Sequence, residues 1–249
     1  MALTNTPEYL KPQWHCLTNK PDTLGESPFW NPLEKRLYWV DIPGQRLRRM
    51  RVTNDLSVQH AIEDWALTEE PGCFAPAEIG GWVMALRSGI YQAEVWGGAL
   101  KLLAPAPYDT TRLRFNDGKC DLAGNFWSGS MYEPRDQAAG VLYVLQSKHL
   151  LQAKADQATV ANGLAWSPDG HTMYWSDTAS HCIRAWDFEL GTQALSNERV
   201  FAQFPLKPKT WVYGSEEAQN YAGRPDGAAV DADGFYYAAM YEGHRSEER

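Results

Sequence analysis

Four passages of the chain share one layout: GESPFWNPLEKRLYWVD (25–41), NDGKCDLAGNFWSGSM (116–131), NGLAWSPDGHTMYWSD (162–177) and PDGAAVDADGFYYAAM (225–240). Each has a polar residue at its head, then a turn, then an aromatic pair: Tyr38-Trp39, Phe126-Trp127, Tyr174-Trp175 and Tyr236-Tyr237. A weaker fifth copy, PGCFAPAEIGGWVMAL (71–86), turns at Gly80-Gly81. Trp30 and Trp166 are 136 residues apart, and Gly118 and Gly163 are 45 apart. The last step, from Gly163 to Gly227, is 64 residues, and its surplus falls in FPLKPKTWVYGSEEAQNYAGR, an insertion loop at 204–224. A period of about 45 residues built from short strands and hairpins predicts an all-β fold, a β-propeller with about four strands per blade. The turns Pro168-Asp169-Gly170 and Ala232-Asp233-Gly234 fit, because glycine supplies the positive φ that tight hairpins need. A single propeller domain is expected over 1–249, with blades at 24–66, 70–104, 112–150, 159–203 and 224–245 and a frayed tail at 246–249.

Composition narrows the function. Aromatic residues make up 12% of the 249 residues, with 11 Trp and 12 Tyr, which is ample core material; the strand-pair Trp and Tyr are read as core. A net charge of −8 with no Lys/Arg run repels phosphate backbones and argues against nucleic-acid binding. The start, MALTNTPEYLKPQWHC, has no signal-peptide pattern, and no run is long and apolar enough to span a membrane, so a cytoplasmic protein is expected. Cys16, Cys73, Cys120 and Cys182 form no CxxC pair and are read as reduced thiols. No GxSxG elbow is present, and the histidines at 15, 60, 149, 171, 181 and 244 form no HExxH, which argues against serine hydrolases and metalloproteases.

In a propeller the innermost strands line a central channel, so residues at one phase of the repeat meet around one axis. Glu26, Asp117 with Asn116 beside it, Asn162 and Asp226 share that phase. Carboxylates brought together repel one another unless a cation lies between them, and oxygen donors suit Ca²⁺, Mg²⁺ or Mn²⁺ better than Zn²⁺. Asp64, Asp169 and Asp233 are read as turn residues. Asn162-Gly163 and Asp226-Gly227 also suit turns, but Glu26 is a poor turn former, and its place at the same phase favours a site. Asp121 is assigned to the blade, residues 122–125 to a plain turn, and Lys119 to pairing with a neighbouring carboxylate.

The strings GESPFW (25–30), RFNDGKCDLAGNFWSGSM (114–131), NGLAWSPDGHTMYWSDT (162–178) and PDGAAVDADG (225–234) resemble the SMP-30/gluconolactonase/regucalcin-like family of six-bladed propellers, in the family's order. The resemblance implies one divalent metal ion (Ca, Mg, Mn or Zn) and hydrolysis of a small-molecule sugar lactone by a monomer or weak homo-oligomer. It carries the metal ligands to Glu26, Asn162 and Asp226, and the sugar contacts to Arg114, Asn116 and, less directly, Glu133. Asp226 is the first choice of general base and Asp117 the alternative. The family continues into a sixth blade, whereas this sequence runs 23 residues past Asp226, so the expected ring lacks its C-terminal blade. Two other readings follow: a non-enzymatic metal-binding or protein-interaction propeller, and an inactive truncated product.

Overall fold

The structure, a computed structural model, describes residues 16–53, 61–146 and 150–248. Parts of the expected first and third blades at 54–60 and 147–149, with His15, His60, His149 and Arg249, lie outside the described residues. The described strands form five antiparallel sheets, each joined in simple up-and-down order. Blade 1 holds β1 (Gly25–Asn31), β2 (Arg36–Asp41), β3 (Arg46–Arg51) and β4 (Ile62–Ala66). Blade 2 holds β5 (Pro71–Pro76), β6 (Trp82–Leu86), β7 (Gly89–Ala93) and β8 (Lys101–Pro105). Blade 3 is β9 (Leu113–Cys120), β10 (Phe126–Tyr132), β11 (Gly140–Gln146) and β12 (Leu150–Ala158). Blade 4 is β13 (Ala161–Trp166), β14 (Thr172–Asp177), β15 (Cys182–Glu189) and β16 (Ala194–Gln203). Blade 5 has three strands, β17 (Arg224–Val230), β18 (Tyr236–Tyr241) and β19 (Arg245–Glu248).

The inner strands β1, β5, β9, β13 and β17 touch in that sequence around the axis. Each junction between blades has its own apolar cluster. Tyr38, Leu47, Phe74 and Trp82 join blades 1 and 2, while Cys73, Ile90, Phe115 and Tyr143 join blades 2 and 3. Trp127, Leu164, Trp175 and Trp186 join blades 3 and 4, and Ile183, Phe204, Tyr236 and Met240 join blades 4 and 5. The aromatic pairs supply these clusters because alternation sends one member of each pair to each face of its sheet. Tyr38, Trp127, Trp175 and Tyr236 are fully buried; Tyr237 is 37% exposed and departs from the expected core.

Residues 245–248 correct the expectation of a frayed tail from 246. They form β19, with Met240 opposite Arg245 and Tyr237 opposite Glu248. RSEE alternates half-buried with exposed positions, so a strand at the sheet edge forms there without apolar residues to announce it. Most of 204–224 is irregular, with one short helix, α1 (Glu216–Asn220), whose first turn is capped by Ser215 Oγ accepting from Ala218 N at 3.2 Å.

One irregularity recurs in all five inner strands. The pairing of β1 with β2 jumps from Glu26↔Val40 to Phe29↔Tyr38, so three steps on the inner strand match two on its partner. The same extra residue lies between Phe115 and Gly118, between Asn162 and Ala165, and between Pro225 and Ala228; in β5 it lies between Pro71 and Cys73. Such bulges bend a strand and redirect its side chains. The phase shared by the sequence repeats is the phase of this bulge.

Candidate functional site

The bulges place Glu26, Asn116, Asn162 and Asp226, together with Arg114, around a cavity of about 120 Å³. A directed chain of hydrogen bonds runs through it from blade 3 to blade 5. Arg114 Nη1 donates to Asn116 Oδ1 at 2.8 Å, and Asn116 Nδ2 donates to Ala161 O at 2.9 Å and to Asn162 Oδ1 at 3.3 Å. Asn162 Nδ2 donates to Thr178 Oγ1 at 2.8 Å, and Thr178 Oγ1 donates to Pro225 O at 2.7 Å, one residue before Asp226. Each amide is thereby oriented, and Asn162 turns its oxygen toward the side occupied by Asn116. Asn162 and Arg114 are buried, so the order of the chain is fixed by the need to satisfy every donor.

Two glycines make the approach possible. Gly163 has φ +58°, a left-handed conformation that a side chain resists, and a Cβ there would lie 2.4 Å from Tyr236 Oη and 2.9 Å from Asp226 O. At the corresponding place in blade 2, a Cβ on Gly72 would lie 2.5 Å from Phe115 O and 2.6 Å from Asn116 O. Blade 2 therefore gives the site room rather than a functional group, which accounts for the weakness of its sequence copy.

Glu26 and Asp226 carry the electrostatic signature of the site. Burial, then the carboxylates of Asp226 and Asp117, push Glu26 up to about 8 against the pull of Arg114. Burial and Asp117 push Asp226 up to about 6, opposed by the Gly227 N–H and Arg224. Each acid resists ionising beside the others, so a cation between them would be stabilised. Two carboxylates and an oriented amide oxygen at one cavity are donors of the kind a hard divalent ion takes. Among the described residues no group of three His, Cys, Asp or Glu side chains is disposed to hold a metal, so a set built on Glu26 and Asp226 would need another kind of oxygen donor, such as the amide of Asn162.

Asp117 faces away from the cavity that holds Asn116. With Glu26 and Asp226 it lines a separate slot of about 510 Å³ between blades 1 and 5. Its Oδ2 accepts from Leu164 N at 3.0 Å, and it also takes backbone N–H bonds from Gly118 and Gly163, so it fastens β9 to β13. Burial still raises its proton affinity. Lys119 makes no ion pair within 4.0 Å among the described residues; its Nζ donates to Ala228 O at 2.8 Å, and Asp117 acts on it only through space. Asp121 accepts from Ala123 N, Asn125 N and Trp127 Nε1, which makes it a turn anchor of the blade.

Glu133 does not line the small cavity. Arg87 holds its two oxygens at 2.9 and 2.8 Å and keeps its carboxyl below the usual range, while Arg114 Nε lies 3.8 Å away. Arg87, Thr178, Arg135 and Arg224 were not singled out from the sequence. Thr178 ends the WSDT of the repeat, where a hydroxyl after an inward-facing strand was a usable signal; the arginines lie off the repeat's phase and left none.

A five-bladed arrangement with polar side chains gathered at the bulges of its inner strands defines a propeller with an axial site. Residues 24–248 match the family model described as SMP-30/gluconolactonase/LRE-like region, and the chain belongs to that family. It is 37% identical over 234 residues to 6-deoxy-6-sulfogluconolactonase of Pseudomonas putida, covering 92% of this chain and 72% of that protein. To regucalcin of Danio rerio it is 33% identical over 232 residues, with the same shares of 92% and 72%. Among solved structures, regucalcin of Agrobacterium tumefaciens superimposes with a TM-score of 0.76 at 22% identity, over 93% of this chain and 76% of that one, and so speaks for the fold. No helix among the described residues is long and apolar enough to cross a membrane.

Proposed function

We propose that this chain is a divalent-metal-dependent carboxylic-ester hydrolase that opens sugar (aldono-)lactones to aldonic acids in carbohydrate catabolism. The observation that carries the reading is the gathering of Glu26 and Asp226 at one small cavity with the oriented amide of Asn162 and the guanidinium of Arg114. The names of the P. putida relative and of the family support a lactone as substrate. Four free cysteines, of which Cys73 and Cys182 are buried, support a reducing, cytoplasmic setting.

Glu26, Asn162 and Asp226 would hold the ion, and the choice among Ca²⁺, Mg²⁺, Mn²⁺ and Zn²⁺ is part of the proposal. When bound there, a divalent ion supplies Lewis acidity and neutralises the paired carboxylates. Asp226 takes a proton from the attacking water and returns it to the ring oxygen as the ester C–O bond breaks, leaving the aldonic acid. As a proposed ligand of the cation, Asp226 would be a weaker base than in the cation-free chain, and its fitness for both transfers rests on its place beside the water. Asp117 is the alternative base; its three backbone N–H partners weaken that role. Arg114 and Asn116 hold sugar hydroxyls or the new carboxylate, and Arg114 is steadied for this by Asn116 and Glu133.

The test is hydrolysis of D-glucono-1,5-lactone and other aldonolactones with each metal in turn, before and after EDTA, by wild type, Asp226→Ala and Asn162→Ala. Metal-dependent turnover lost in both variants is expected. Turnover untouched by EDTA, or full activity in the variants, refutes the reading; retained metal without turnover favours a metal-binding propeller that is not an enzyme.

A further inference from the structure

We propose that the site selects lactones carrying an anionic substituent (a phosphate, sulfonate or carboxylate) remote from the reacting ester, and that Arg135 and Arg224 recognise it. The inference rests on the lactonase reading of the same site. The small cavity is lined by three arginines, Arg114, Arg135 and Arg224, beside Glu26 and Asp226. Arg114 is committed inward, with Nη1 donating to Phe115 O at 2.9 Å and to Asn116 Oδ1 at 2.8 Å. Its remaining donors are the ones assigned to the sugar, which leaves Arg135 and Arg224 for a further group.

Arg135 is exposed and forms no ion pair among the described residues. Its φ of +61° and the bond from its N–H to Tyr132 O at 3.1 Å fix the turn that presents it at the cavity. The acid next to it in charge is Glu133, which Arg87 already holds with two hydrogen bonds. Arg224 repeats the pattern from blade 5. Its Nη2 lies 3.1 Å from Glu242 Oε2 without a hydrogen bond between them, and its buried Nε has no partner. Glu242 is in turn held by Lys207 at 2.7 Å through its other oxygen. Glu133 and Glu242 are thus each shared with a second cation, Arg87 and Lys207, and Asp226, which Arg224 also feels, is one of the acids proposed to hold the metal ion.

The buried Arg224 Nε without a partner is a costly feature, and the exposed Arg135, with no ion pair within 4.0 Å among the described residues, is open to a ligand at the same cavity. A neutral hydroxyl can accept one of these N–H groups but brings no charge to a cavity lined by three guanidinium groups. A tetrahedral or planar oxyanion matches the fork of a guanidinium and would satisfy them at once. Glu26 and Asp226 are the acids of the lining, and Tyr241 packs its ring under the Arg224 guanidinium, with Cζ 5.1 Å from the ring centroid.

The experiment compares kcat/KM for D-glucono-1,5-lactone with that for its 6-phospho and 6-deoxy-6-sulfo derivatives and for D-glucaro-1,5-lactone, in wild type, R135Q, R135K and R224Q. Wild type is expected to prefer at least one anionic lactone by about tenfold or more, as a charge-assisted hydrogen bond would give. R135Q and R224Q should each reduce that preference, and R135K should restore part of it. The three anionic substrates tell phosphate, sulfonate and carboxylate apart. Calorimetric binding of D-glucose 6-phosphate against D-glucose, in the same proteins, reads anion recognition without turnover. If no lactone is hydrolysed, the lactonase reading falls while the binding arm still decides whether the arginines take an anion. Equal treatment of charged and neutral ligands by wild type, or a preference unchanged in both R135Q and R224Q, overturns the inference. Arg135 is exposed, so its variants keep the fold, which circular dichroism would verify.

Discussion

Arg87 of blade 2 grips Glu133 of blade 3 with both terminal nitrogens, at 2.9 and 2.8 Å. The same guanidinium receives Glu70 at 2.6 Å through Nε and reaches Thr110 O at 3.0 Å, so one side chain ties the two blades at the mouth of the site. Glu133, 3.8 Å from Arg114 Nε, passes that order on to a proposed sugar contact. Removing Arg87 as Arg87→Ala is expected to raise KM for a lactone more than it lowers kcat. Its stability cost should stay near 1 kcal/mol, because the pair is partly exposed. Steady-state kinetics and urea denaturation check both parts; a pure loss of stability with unchanged KM would leave Glu133 a structural clasp only.

The raised acids make a prediction about pH. Glu26, at about 8, and Asp226, at about 6, bind protons more tightly in the folded chain than in the unfolded one. Their contribution to stability is therefore complete below the ordinary carboxylate range, around pH 4, and is lost as pH rises through 6 to 8. Cation-free protein should melt at a lower temperature at about pH 8.5 than at about pH 5. Glu26→Gln should lessen that difference, and an added divalent cation should do the same. A melting temperature whose pH dependence is identical in wild type and Glu26→Gln would count against the paired-acid description.

Thr178 closes the hydrogen-bond chain, accepting from Asn162 and donating to Pro225 O. Thr178→Val keeps the shape and strands one buried donor and one acceptor, at a cost of about 2 kcal/mol in unfolding free energy. Activity should fall further than stability does, since Asn162 is then free to rotate its amide. Thr178→Ser, which restores the hydroxyl, should recover most of both. The comparison of the three proteins by urea denaturation and lactone turnover separates the two effects.

Gly72 provides a test of the space that blade 2 leaves. Gly72→Ala would press a methyl group against the carbonyls of Phe115 and Asn116, 2.5 and 2.6 Å from the new carbon. Since those atoms are backbone, relief requires β9 to move, with a destabilisation of about 1–3 kcal/mol. The shift would fall on Asn116, so substrate affinity should drop together with the melting temperature.

The sequence and the structure part company at identifiable places. Glu26, Asn116, Asn162 and Asp226 were legible because the repeat has a phase, and an arrangement of blades around one axis turns equal phase into proximity. Asp117 shares that phase with Asn116, yet consecutive bulge residues point in different directions, and only the pairing register separates them. Arg135 and Arg224 reach the cavity by long side chains from positions outside the repeated strings, Arg87 reaches Glu133 beside Arg114 in the same way, and a period search is blind to reach. Strand β19 went unread because an edge strand does not need the apolar alternation by which buried strands are recognised. The bulge itself left no mark in composition: Ser-Pro, Asn-Asp, Gly-Leu and Asp-Gly fill it in four different blades.

That variety has a genetic consequence. The hairpins on either side of each bulge are regular, and one surplus residue is all that separates them from an uninterrupted ladder. Loss of a single codon within a bulge would let the strand zip up and draw the axial side chain into the sheet, while the apolar clusters between blades kept their partners. On the proposed function, one in-frame deletion at any of several places along the gene is expected to leave a folded scaffold without its site.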